Sequence, residues 1–202
     1  MRGTTSTMLI VIACLISSCA QKSIGPTSFS PLYKSQLDAE DVAVVRQCAA
    51  VSRLNVSHDL KGRVVGKRTL ESRTAPPQNI TIEGDLPAWI KASARAMFQK
   101  ASLKTTVANA PSVKLTLHEL QINENVYVNA GYNARVIIDA SVFGTDGKEC
   151  WTARKTGFAQ NYGKHGSAEA YRETADHALD RAIMSIAADA SFQEALCASC
   201  RR

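Results

Sequence analysis

Any chemistry in this chain has to come from its cysteines, its histidines or one run of basic side chains. Ile16-Ser17-Ser18-Cys19 closes an apolar run that begins at Met8, behind the basic residue Arg2. Small residues before a cysteine at the end of such a run form a lipobox, so the expected cut lies before Cys19. The thiol would then take a diacylglycerol in thioether linkage, and the freed amine an N-acyl chain such as palmitate. The run falls well short of the ~20 apolar residues a spanning helix needs, so residues 1–18 read as a signal peptide. Val11-Ile12-Ala13-Cys14 has the same form, but cutting there leaves less than the roughly 7–15 apolar residues a signal core uses. Ala20 follows Cys19, where enteric lipoproteins retained in the inner membrane have aspartate. The expected location is therefore the periplasmic side of the outer membrane.

Cys48, Cys150, Cys197 and Cys200 would remain after that cut. In an oxidising periplasm they are candidates for disulfides, with the pairing left open by sequence. Cys197 and Cys200 form a C-x-x-C, but they close a helix. A redox pair sits at the other pole, where the helix dipole lowers the thiol pKa. A zinc site would need a second ligand pair at metal spacing, and the sequence supplies none.

The histidines are His58, His118, His165 and His177. His58-Asp59 resembles an oriented imidazole, yet neighbours on a strand point to opposite faces, so these two should diverge. Asp59 then serves the turn after the strand, or pairs with a basic neighbour. There is no G-x-S-x-G elbow, no H-E-x-x-H and no phosphate-cradling glycine loop, so no enzyme is expected, and no metal or cofactor. Lys61, Arg63, Lys67, Arg68 and Arg73, interrupted by Gly62 and Gly66, form a basic loop suited to lipid phosphates or an acidic protein patch. The net charge of +6 suits anionic envelope surfaces, whereas nucleic acid is scarce in that compartment.

These groups must be positioned by the elements around them. Residues 19–40 are rich in Ser, Pro, Gly and Lys and read as a lipidated flexible tether. Residues 41–202 have the length and composition of one domain. Val42, Val44 and Val45, then Val51, Leu54 and Val56, indicate extended structure feeding a first strand, followed by the basic loop from Lys61 to about Gln78. Asp85 is a fitting N-cap for a helix to about Leu103. On that helix Leu86, Ile90, Ala94, Met97 and Ala101 form one stripe, with Trp89 and Phe98 at its margins. Val113, Leu115 and Leu117 alternate in one phase and Leu120 and Ile122 in the other, which predicts a β-bulge near His118-Glu119. Asn129–Asn133 reads as a turn. Val136, Ile138, Ala140 and Val142 then alternate, and a Gly144–Gly147 hairpin returns the chain through Cys150, Trp151 and Phe158. Ser167 caps a helix lined by Tyr171, Ala175, Ala178, Ala182, Ile183 and Ile186, and Ser191–Glu194 reads as a capping box where the helix kinks or restarts. The sum is an α+β two-layer sandwich: an antiparallel sheet of about four strands with both helices on one face. Lys114, Thr116, Arg135, Asp139 and Ser141 would occupy the open face.

The chain resembles the YajG-type family of bacterial lipoproteins as a divergent member. The resemblance rests on the lipobox, on Val56-Ser57-His58-Asp59-Leu60-Lys61 followed by Val65-Gly66-Lys67-Arg68, and on the closing Asp189-Ala190-Ser191-Phe192…Leu196. Lys61 stands where the family usually has arginine. What the resemblance implies is an outer-membrane lipoprotein with no catalytic residues to carry over. The expected role is a non-catalytic binding or accessory module of the cell envelope. Its partners would be the membrane, through the lipid, and an envelope protein or a second copy. An auxiliary lipoprotein of a lipid or lipopolysaccharide transport system is the alternative.

Overall fold

The structure is a computed structural model, and it describes residues 27–35, 37, 44–69, 76–125, 131–162 and 166–198. Cys14, Cys19, Val42, Arg73, His165 and Cys200 lie outside the described residues. The strands are β1 (Ser28–Phe29), β2 (Ala50–Val51), β3 (Arg53–His58), β4 (Val64–Thr69), β5 (Gln78–Ile82), β6 (Lys104–Thr105), β7 (Ser112–Asn125), β8 (Gly131–Phe143) and β9 (Glu149–Tyr162). The helices are α1 (Leu86–Lys100), α2 (Ala168–Ala187) and α3 (Ala190–Cys197).

The α+β class is as expected, but the sheet is larger than about four strands and is not purely antiparallel. Seven strands run in the order β1-β5-β4-β7-β8-β9, with β3 also paired to β7. β3 runs parallel to Ser112–Leu117 and β4 parallel to Ile122–Asn125, so the two lie end to end along one edge of β7. β2 and β6 form a separate two-stranded patch. Residues 64–69, read from sequence as part of a loop, are strand β4. Its Gly66 is required by proximity: a Cβ there would sit 1.6 Å from the Ile122 carbonyl oxygen. Likewise Gly131, Tyr132 and Asn133 belong to β8 rather than to a turn.

The expected bulge is present. Leu117 pairs with Ile138 and Glu119 with Ile137, leaving His118 as the extra residue. The phase switch therefore returns Leu120 and Ile122 to the face already taken by Val113, Leu115 and Leu117, and all five are buried. β8 adds Tyr132, Val136, Ile138 and Val142 to that face.

All three helices cover this one face: α1 packs on β3 and α2, α2 on β8 and β9, and α3 on β9. The α1 stripe is buried as its spacing requires, but Trp89 and Phe98 are also fully buried rather than marginal. A third helix-facing series was invisible as periodicity because it is polar. Trp89 Nε1 donates to Asp176 Oδ1 at 2.7 Å, and Ser93 Oγ to Asp180 Oδ1 at 2.8 Å, joining α1 to α2 within the core. Asp85 and Ser167 cap α1 and α2. The chain does restart after α2, but the cap of α3 is Asp189, which accepts from the Ser191 and Phe192 amides, rather than Ser191.

Part of the expected tether is structure. Phe29 is buried, β1 pairs in parallel with β5, and the Lys34 amide donates to Asp176 Oδ2 at 3.1 Å. Residues 27–35 are thus built into the domain.

Candidate functional site

The sequence-marked reactive groups do not converge. Asp59 donates its amide to the Leu117 carbonyl, and its carboxylate lies 3.9 Å from His118 Nδ1 across the bulge, with both side chains exposed. His58 takes no part. The described histidines and carboxylates nowhere gather into a metal-binding group of three.

The buried carboxylates among the described residues are all engaged structurally. Glu124 meets Arg68 Nε at 3.1 Å and accepts from the Gly166 amide at 2.7 Å and from the Tyr171 hydroxyl. Burial, then the Glu124 charge, pushes Tyr132 up to about 12. Asp176 is raised to about 6, chiefly by burial, against the lowering effect of Trp89, the Lys34 amide and Arg172. Each of these carboxylates ties a helix to a strand or to the N-terminal segment, and none faces an open space.

The basic loop does not assemble as one surface. Lys61 and Arg63 are exposed between β3 and β4, Lys67 is exposed on β4, and Arg68 is buried against Glu124. A charge consumed in a buried pair cannot also serve a lipid phosphate. Cys48 and Cys197 are joined, with Cα atoms 5.0 Å apart across 149 residues of chain. Cys150 is also disulfide-bonded. Cys197 is therefore committed to Cys48 and not to its C-x-x-C neighbour.

The open sheet face remains, and register organises it. On β5, β4, β7, β8 and β9 the residues Asn79, Lys67, Asn123, Asn133 and Gln160 pair one to the next, all exposed. With strands ~4.8 Å apart, this row is about 19 Å long. Beside it runs the row Gln121, Arg135, Phe158, and on its other side Thr69, Asn125, Gly131, Tyr162. Gly131 offers no side chain, so the face is indented next to Tyr162. On the opposite side of the row a groove of about 500 Å³ opens, lined by Gln121, Asn133, Arg135, Phe158, Gln160 and Arg181. Phe158, on the strand that returns from the hairpin as expected, is 59% exposed, and Tyr162 is 63% exposed. Toward the other end the face closes on itself. Arg154 makes a two-pronged contact with Asp139 at 2.6 and 2.7 Å, Arg135 binds Glu119, and Ser57 and Ser141 bond Thr116 and Thr152. Arg154 and hydrogen bonding hold the Asp139 carboxyl below its ordinary value. Sequence alternation placed Arg135, Asp139 and Ser141 here. It missed the carboxamide row, because no spacing within one strand shows which residues four other strands set alongside.

No family model matches the chain, and no curated protein matches it. Among solved structures, a Xanthomonas campestris protein with the family description DUF330 is similar with a TM-score of 0.50. The identity is 9%, over 84% of this chain and 94% of that one. This likeness shows a shared fold. A lipoprotein candidate from Caulobacter crescentus CB15 gives a TM-score of 0.39 at 14% identity, over 57% of this chain and 83% of that one. A minor lipoprotein from Acinetobacter baumannii gives 0.34 at 8%, over 73% and 91%.

Proposed function

We propose that this chain is a lipid-anchored, non-catalytic binding module on the periplasmic side of the bacterial outer membrane, and that the open sheet face is its working surface. The observation that supports this most is the contrast between the two faces. Among the described residues every buried carboxylate on the helix side is spent on holding the fold, while the other side presents ordered rows of exposed hydrogen-bonding groups over β4, β7, β8 and β9. The lipobox at Cys19 supplies the anchor. Seven residues, 20–26, lie between that anchor and the first described residue, Thr27.

The test places a photo-crosslinking residue at Asn133, on the face, or at Ala92, exposed on α1 and outside the cleft between α1 and β3, in cells producing the full chain. Reproducible adducts from Asn133 alone, lost in Cys19→Ala, are expected. Equal adducts from both positions, or from Ala92 alone, would overturn the reading.

One observation favours an auxiliary role in lipid or lipopolysaccharide transport. A cleft of about 360 Å³ between α1 and β3 has Leu54, Phe98 and Leu103 along its floor and Arg53, Lys91 and Arg95 at its rim. Apolar floor and cationic rim together suit an anionic amphiphile. Native mass spectrometry of the membrane-extracted protein would show a bound lipid, lost on Lys91→Glu; a lipid-free species would dismiss this role.

A further inference from the structure

The ligand of the open face can be assigned by elimination among its exposed groups. Four of its ionised side chains are paired within the face, Arg154 with Asp139 and Arg135 with Glu119. A charged partner would have to break those pairs to reach either arginine. What the face leaves unspent is different chemistry. The side chains of Gln121, Asn123 and Asn133 make no hydrogen bond among the described residues, and each carboxamide offers two donors and an acceptor. Gln160 donates to the Tyr162 hydroxyl at 2.8 Å, which holds that ring beside the row. Phe158 and Tyr162 stand on the same face of β9, ~13 Å apart along the strand, bracketing Gln160. Arg181 Nη1 donates to the Phe158 carbonyl at 2.6 Å. That bond fixes the guanidinium at the rim of the groove beside Phe158 and occupies a backbone acceptor of the edge strand. The arrangement disfavours a partner strand added to β9 there, since the acceptor it would use is taken.

We infer that the row Asn79, Lys67, Asn123, Asn133, Gln160, with Phe158 and Tyr162, is a binding site for a glycan chain carrying hydroxyl and acetamido groups. Carboxamides match such groups in both directions, as donors and as acceptors. Apolar sugar faces stack on aromatic rings that would otherwise be left in water. Lys67, the one cation in the row, suits an occasional carboxylate on the glycan, as cell-wall polymers carry. A folded protein partner would more often seek an apolar centre with a polar rim, whereas here the centre is polar and the aromatics lie at one edge.

This inference rests on the sheet face being the working surface. Its test uses the full lipidated chain in detergent micelles, with two glycan probes, purified peptidoglycan sacculi in a sedimentation assay and chitohexaose titrated against side-chain amide NMR signals, and with heparin as a polyanion control. The expected result is co-sedimentation, with chitohexaose shifting the carboxamide signals of Asn123, Asn133 and Gln160. Asn133→Ala and Phe158→Ala should each weaken binding about tenfold, and Lys91→Ala, in the α1 cleft, should leave it unchanged. Unmoved carboxamide signals, or affinity unchanged in both variants, would overturn the assignment. So would binding of heparin alone with complete loss in Lys67→Gln, because charge would then suffice. If both glycans fail while a crosslinker at Asn133 still captures a defined envelope protein, the glycan falls and the working face stands. If the crosslinker also captures nothing, both fall.

Discussion

Asp176→Asn isolates what a buried carboxylate does between α1, α2 and the N-terminal segment. Asp176 has no exposed surface. Its carboxyl is raised from 3.8 to about 6, first by burial, with the nearby Asp180 charge adding to it and Trp89, the Lys34 amide and Arg172 opposing. The sign follows from proton counting. Between pH 3.8 and 6 the folded protein holds more protons on this group than the unfolded chain, so stability falls as pH rises through that window. At about 1.4 kcal/mol per pH unit, a rise from 3.8 to about 6 is worth about 3 kcal/mol. Asp189 acts in the opposite sense. Lys155 and Ser191 hold its carboxyl well below the usual range, so its contribution is present at neutral pH and lost on acidification. Absolute profiles mix the two, but the difference between variant and wild type cancels Asp189. Asparagine can still accept from Trp89 and does not titrate. Urea unfolding of both proteins at pH 4 to 7.5 should show the variant gaining about 2–3 kcal/mol on the wild type across that range. A difference that stays flat, or that grows toward acid, would refute the reasoning.

Other outcomes follow from the packing. Arg68→Met leaves Glu124 buried without its cation and should cost about 3–5 kcal/mol by denaturant unfolding; a change below about 0.5 kcal/mol would mean the pair is not formed. Gly157→Ala puts a Cβ 1.9 Å from the Ala178 carbonyl oxygen and should destabilise by about 1–3 kcal/mol or more as α2 is pushed off β9, whereas unchanged unfolding would place that helix elsewhere. Cys48→Ser opens a 149-residue connection and should cost about 2–5 kcal/mol; equal midpoints with and without reductant would contradict the bond. Cys19→Ala should release the chain from the membrane fraction, and an unacylated wild-type N-terminus by intact mass would remove the anchor.

Much of the architecture is written locally. The phase switch at His118 marks the bulge, Asp85 and Ser167 mark two helix starts, and the α1 and α2 stripes name the residues that are buried. What failed to show depends on distant partners. β4 contains Lys67 and Arg68, a composition that reads as a solvated loop, and only Glu124 on a strand far along the chain makes an inward arginine tolerable. β1 hides in a tether-like composition because its one apolar anchor, Phe29, packs on Tyr171 from the far end of the domain. The parallel pairings of β3 and β4 with β7 require crossovers that no hairpin motif announces. The carboxamide row was illegible for the same reason. Asn79, Asn123, Asn133 and Gln160 look like ordinary exposed amides until strand register sets them side by side.

Hydroxyl-radical footprinting tests most directly whether the open face is occupied in its native setting. Oxidation would be compared between the purified chain and intact envelopes, read at Phe158 and Tyr162 on the face and at Leu32 and Val44, which are exposed away from it. The account predicts that the two aromatics are protected in envelopes while Leu32 and Val44 oxidise as they do in the purified protein. Phe158 and Tyr162 oxidised equally in both settings would contradict it.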